Sequence, residues 1–222
     1  MDSAIITGRN SVIEALKAGR SVTRIYITAG KDSQPLLRIR SMAREKGVPV
    51  EPVSADVMRR HARGTHHQDV VAFAAAVAFA DLDEVLSEVQ AKGDVPFLIL
   101  LDGIEDVHNL GAVIRTAECA GAHAVLVPKR RSAPVNETVG KTSAGAVEYM
   151  PVVRIGNTAS FLKKLKKQGF WVIGADMDGE TDYFHSSLTG PLVLVIGSEG
   201  KGISRLVREI ATALSGFPCS AV

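Results

Sequence analysis

Leu192-Val193-Leu194-Val195-Ile196-Gly197-Ser198-Glu199-Gly200-Lys201-Gly202 is the stretch on which the fold turns. Its apolar run shows no alternation, which marks a strand buried on both faces and so a parallel sheet sandwiched between helices. The glycines behind it let the backbone turn sharply and approach a ligand closely. A helix predicted over Ile203–Ala213 points its amino end at the same place. Familiar phosphate loops are excluded. Lys201 is followed by Gly202 rather than Ser or Thr, Ser198 directly follows Gly197, and the glycine order is Gly-x-x-Gly-x-Gly. Read locally, Glu199 can also serve as a cap for the following helix.

Working back, a second apolar strand, Phe97 to Leu101, leads through Asp102-Gly103-Ile104-Glu105-Asp106-Val107-His108 to a helix predicted over Leu110–Ala120. Ligands in parallel sheets sit beyond the carboxyl ends of strands, so the loops after Leu101 and Ile196 are the candidate site. Asn109 fits the N-cap of that helix, and Gly111 and Ala112 are small enough for close packing. Arg115 stands among Val113, Ile114 and Ala117, with Glu118 as a possible i,i+3 partner. Further strands (Ala124–Val127, Trp171–Gly174) and helices (near Val135–Lys141, Thr158–Gln168) complete the α/β rhythm.

Before Phe97 the pattern differs. Helices over Arg9–Ala18 and Gln34–Lys46 alternate with strands over Arg24–Thr28 and Val48–Val53, a short helix Ala55–His61 and an apolar strand Val70–Val77. The expected organisation is a small α/β domain over residues 1–78, a connecting helix within 79–95 capped by Asp81, and a mostly parallel-sheet α/β domain over 96–222. Residues 1–80 hold 12 Lys and Arg against 7 Asp and Glu, whereas residues 81–222 hold 14 against 17. That excess favours a polyanion partner for the first domain. The run Lys163-Lys164-Leu165-Lys166-Lys167 reads equally well as a solvated helix face.

No apolar run approaches the ~20 residues of a membrane span, and Met1-Asp2-Ser3-Ala4 lacks the basic start of a signal peptide. No membrane association and a cytoplasmic location are expected. The two cysteines, Cys119 and Cys219, form no CxxC pair and read as free thiols. His61, His66 and His67 lack a cysteine or carboxylate set at zinc spacing, so no metal is expected.

Asn109-x-Gly111-x-x-x-Arg115 at a strand-to-helix junction, followed by an apolar strand and Gly197-Ser198-Glu199-Gly200-x-Gly202, resembles motifs one and two of the SpoU (TrmH-like) family of knotted SPOUT RNA methyltransferases. Val127-Pro128-Lys129, Lys141-Thr142-Ser143-Ala144-Gly145-Ala146, Gly8-Arg9-Asn10-Ser11-Val12 and the His67-Gln68 loop extend the resemblance over nearly the whole chain. Three departures stand out. Asp106-Val107-His108 replaces an expected Asp-Pro before the Asn, and His67-Gln68-Asp69 replaces His-Gln-Gly. No Ser-Leu-Asn motif three with a final apolar helix follows Phe217-Pro218, where the chain reads Cys219-Ser220-Ala221-Val222.

The resemblance implies an RNA-binding domain over 1–78 and a trefoil-knotted catalytic domain that uses S-adenosylmethionine to methylate a ribose 2'-hydroxyl in structured RNA. Guanosine in large-subunit ribosomal RNA is the expected target, rather than transfer RNA, with the chain acting as a homodimer. It places Asn109, Arg115 and Glu199 at the reacting ribose. Ile196, Gly197, Gly200 and Phe217 fall at the methyl donor, and Arg9, Asn10, Arg63 and Gln68 on the RNA. A guanidinium, with a pKa above about 12, is a poor proton acceptor, so Arg115 is read as a phosphate clamp. Two alternatives remain open: a non-catalytic RNA-binding protein of the same fold, its donor site lost with motif three, and an unrelated nucleotide-binding α/β enzyme.

Overall fold

The structure, a computed structural model, describes residues 3–62, 64, 66–177, 179, 181, 182 and 188–216. Two compact units emerge. The first takes residues 1–78 with 111–115 and 135–149; the second takes 79–110, 116–134 and the chain from 150 onward.

The first unit is built on a four-stranded sheet in the order β1-β4-β2-β3, from β1 (Ser3–Thr7), β2 (Val22–Thr28), β3 (Val50–Val53) and β4 (Val70–Ala75). β4 runs antiparallel to both neighbours, and β2 pairs parallel with β3. Period-2 alternation divides its side chains. Ile25, Ile27, Val70 and Ala72 join a core with residues of α1 (Arg9–Lys17) and α2 (Gln34–Glu45). Tyr26, Val71 and Phe73 form a smaller core with Met58 and Ala62 of α3 (Ala55–Ala62). The segment 135–149, which carries α6 (Glu137–Thr142), ties in through Arg20, whose Nη1 lies 2.6 Å from Glu148 Oε1 while its Nε and Nη2 donate to Ala75 O.

The second unit opens with α4 (Leu82–Lys92), whose N-cap Asp81 accepts from the Asp83 and Glu84 N–H groups and whose C-cap is left-handed Gly93. Seven strands follow in the spatial order β7-β6-β5-β10-β8-β11-β9: β5 (Phe97–Asp102), β6 (Ala124–Pro128), β7 (Val152–Ile155), β8 (Trp171–Ala175), β9 (Thr181–Asp182), β10 (Leu192–Gly197) and β11 (Ala213–Gly216). Every pairing is parallel. Leu98, Leu100, Val193 and Val195 pack in one cluster with residues of α4, α7 (Thr158–Lys167) and α8 (Arg205–Ile210). Ile99 and Leu101, pointing the other way, are buried as well, so the apolar runs are those of a sheet covered on both faces.

Two expectations are corrected. The helix read from Leu110 is α5 (Val107–Cys119), and its N-cap is Asp106, which accepts from the His108 and Asn109 N–H groups; Asn109 lies within the first turn. The helix read over Ile203–Ala213 is only α8, with Ser204 as N-cap, and Ala213 begins β11 instead. There, pairing with β8 outweighs the helix propensity of Ala and Leu. β1, β7, β9 and β11 carried no strand signal in the reading above.

Candidate active site

β10 enters the sheet between β5 and β8, so the two loops picked from sequence become neighbours. Gly197 pairs in register with Asp102, and Ile196 with Leu101. The Asp102 carboxylate accepts from the Ser204 N–H at 2.7 Å, which ties the end of β5 to the start of α8. Ser204 is the N-cap by position, without a side-chain cap bond, and it is the Asp102 carboxylate rather than that of Glu199 that holds the helix start; the Glu199 carboxylate is left exposed.

The Gly197–Gly202 loop is shaped by backbone alone. Ser198 and Gly202 exchange hydrogen bonds (Ser198 N to Gly202 O 3.0 Å, the reverse 2.9 Å). Gly200 (φ 84) and Gly202 (φ 60) take left-handed conformations. A Cβ on Gly197 would lie 2.1 Å from the Gly202 carbonyl carbon, so the close approach that demands this glycine is to the loop's own return.

Across from it, α5 is held by the Asp106 cap. The N–H groups of Asn109 and His108 keep the Asp106 carboxyl below its ordinary range. With the cap supplied by Asp106, the Asn109 amide reaches outward, and its Nδ2 sits 3.4 Å from Glu199 Oε2. Arg115, on the same helix, is rotated roughly 120° from Asn109, because six residues do not complete whole turns. It is exposed and ion-paired with no described residue, Glu118 included. Gly111 is small for a reason: a Cβ there would fall 1.8 Å from Thr142 Oγ1, whereas Ala112 is exposed.

These loops border an open cleft of about 1130 Å³ at the carboxyl end of the sheet. Ser198, Glu199, Lys201 and Gly202 line it, while Ile196 and Gly197 form the strand end behind them and Gly200 the tip between them. Apolar Pro128, Leu206 and Val207 alternate with polar Asp102, Glu105 and Asn157 along its walls. A large cleft of mixed lining fits a nucleoside carrying a charged tail. Lys129, Arg130 and Arg131 also line it; sequence reasoning quoted Lys129 only within the resemblance and gave none of the three a place in the site, although the loop after a parallel strand read over Ala124–Val127 was a signal for them.

In the first unit, Arg9, Asn10 and Gln68 meet around a hollow of about 430 Å³ with Pro35, His66 and Asp69. Arg9 N donates to Gln68 Oε1 (2.9 Å), Arg9 Nε to Gln68 O (3.0 Å), and Arg9 Nη2 lies 3.3 Å from Asp69 Oδ2. Asn10 is exposed beside them. Arg63 and Phe217 lie outside the described residues.

Residues 96–221 match the model of the SpoU rRNA Methylase family, and residues 5–80 that of RNA 2'-O ribose methyltransferase substrate binding. YacO of Bacillus subtilis, named for the TrmH family of tRNA/rRNA methyltransferases, is 38% identical over 213 residues, spanning 96% of this chain and 85% of its own length. A Staphylococcus haemolyticus protein named for the same family is 39% identical over 209 residues, 94% of this chain and 84% of its own. The crystal structure of the SpoU methyltransferase AviRb from Streptomyces viridochromogenes, in complex with AdoMet, aligns with a TM-score of 0.78 over 99% of this chain and 82% of its own. At 21% identity that likeness is one of fold.

Proposed function

The chain belongs to the SpoU rRNA methylase family, and on that premise we propose that it transfers the methyl group of S-adenosylmethionine to a ribose 2'-hydroxyl of structured RNA, guanosine of large-subunit ribosomal RNA in particular. The observation that carries this reading is the contact between Asn109, in the first turn of α5, and Glu199, in the loop after β10, beside a cleft roomy enough for a nucleoside. In this reading residues 1–78 hold the RNA through Arg9, Asn10, Arg63 and Gln68, residues 79–95 connect, and residues 96–222 hold the methyl donor in a trefoil-knotted segment. The chain works as a homodimer in the cytoplasm.

S-adenosylmethionine, when bound, supplies an electrophilic sulfonium methyl. Ile196, Gly197, Gly200 and Phe217 would hold it, with Ser198 and Gly202 as further wall. What remains for the protein is to place the attacking oxygen in line with that methyl and to ease loss of the hydroxyl proton. Asn109 and Glu199 have side-chain oxygens that accept from ribose hydroxyls, and their mutual contact fixes the Asn109 amide. Arg115 carries a permanent charge and a planar fork of donors, which suits it to clamp a phosphate and stabilise developing alkoxide charge. The proton leaves to phosphate or water.

Single-turnover methyl transfer to ribosomal RNA by the Arg115→Lys variant tests the clamp. Loss of the bidentate fork predicts a rate lowered about 10²-fold with donor binding intact. Near-normal turnover would remove Arg115 from this role.

A further inference from the structure

Three consecutive cations follow β6, and the fold aims them into the cleft. Lys129, Arg130 and Arg131 are exposed and line it, Lys201 lines it from the β10 loop, and none is ion-paired with a described residue. Their carriage is fixed at both ends. Lys129 N donates to Ile155 O at 2.9 Å, and Ala133 N to Ile104 O at 2.8 Å. Ser132 Oγ closes the turn on Pro128 O.

Arg131 sits at φ 56, a left-handed conformation that costs any residue with a Cβ and that glycine adopts freely. Strain of this kind persists where the surrounding structure imposes it, and it clusters at ligand clamps. Beside the loop, Thr158 and Ala159 of the first turn of α7 line the same cleft. That turn presents N–H groups without intrahelical acceptors and the positive end of a helix dipole. Of the carboxylates of the cleft, Asp102 is engaged by Ser204 N and Glu199 faces Asn109, while Glu105 follows Ile104, the acceptor for Ala133 N, and so borders the loop. Along the order β7-β6-β5-β10, only β5 separates the β6 loop from the β10 loop that carries Glu199 and Lys201.

We propose that Lys129, Arg130 and Arg131, with Lys201 and the amino end of α7, form a phosphate-binding subsite that grips the RNA strand next to the nucleotide being methylated. This deepens the methyltransferase reading and rests on it. The subsite binds backbone phosphate, so it takes any sequence and adds a salt-dependent share of the affinity. It also gives the catalytic unit its own hold on RNA.

The test uses the full chain, a fluorescein-labelled RNA hairpin titrated from 50 to 400 mM salt, and calorimetric titration of S-adenosylmethionine. In the Lys129→Gln/Arg130→Gln/Arg131→Gln variant, hairpin affinity at about 0.1 M salt falls ~10- to 100-fold, and the slope of log affinity against log salt drops by about 2, at ~0.7 per lost phosphate contact. Donor affinity stays at the wild-type value. Arg131→Gly relieves the turn and raises the Tm, yet still weakens hairpin binding several-fold, which separates a grip from a merely structural turn. Wild-type slope and affinity in both variants would overturn the proposal, as would loss of donor binding alone, which would assign the cations to the donor's carboxylate. Failure of the parent reading looks different: wild-type protein would bind the hairpin through these residues but transfer no methyl group.

Discussion

Two loops make tight left-handed turns by opposite means. Gly197–Gly202 meets each backbone demand with a glycine and holds its shape by two main-chain hydrogen bonds. His66–Asp69 has no glycine in its turn: Gln68 (φ 51) and Asp69 (φ 66) are both left-handed, held by Arg9 from α1, by Asp69 N donating to His67 Nδ1, and by Lys141 Nζ on His66 O. The difference concerns what is left over. A loop shaped by glycine leaves Ser198, Glu199 and Lys201 to face a ligand. A loop shaped by side chains uses Arg9, Gln68 and Asp69 on itself, so on the proposed reading Arg9 and Gln68 would meet RNA through the surface they build, with Asn10 exposed beside them.

The comparison breaks most severely at Gly197. Alanine there drives a Cβ into the backbone of Gly202 and Ile203, so Gly197→Ala is expected to cost about 3 kcal/mol, the upper end of overpacking. It should also abolish donor binding; denaturant unfolding and calorimetry check the two effects. Next comes Arg9→Ala, which removes two side-chain contacts from the His66–Asp69 turn. A loss of about 1–2 kcal/mol is expected, since the Asp69 pair is part-exposed and worth little, together with weaker RNA binding. Smallest is Asp69→Gly, which restores the family's His-Gln-Gly. Relief of left-handed strain offsets the lost ion pair and the added freedom of the unfolded chain, leaving stability within about 1 kcal/mol of the parent by thermal unfolding.

Sequence alone showed as much of this as local physics decides. The runs Phe97–Leu101 and Leu192–Ile196 announced themselves because strands buried on both faces cannot alternate. The loops after them followed from where parallel sheets bind ligands. The α5 cap was misassigned because Asp106 and Asn109 are equally good caps, and only the backbone shows which one accepts from the following N–H groups. Resemblance set Asn109 and Glu199 at one ribose, but residue patterns alone could not give their contact, since it depends on β10 settling beside β5, an adjacency that chain order does not give. Lys129 entered the sequence reading only as part of the resemblance and Arg130 and Arg131 not at all; the direction of their loop came with the end of β6 in place.

The central claim is that the cleft beside Asn109 and Glu199 methylates ribose. Its most direct test is to incubate the chain with ribosomal RNA and S-adenosylmethionine bearing a deuterated methyl group, digest the RNA to nucleosides and locate the label by mass spectrometry. The account predicts label on the 2'-oxygen of guanosine, absent with Arg115→Ala; label on a base, or none while RNA and donor are both bound, would contradict it.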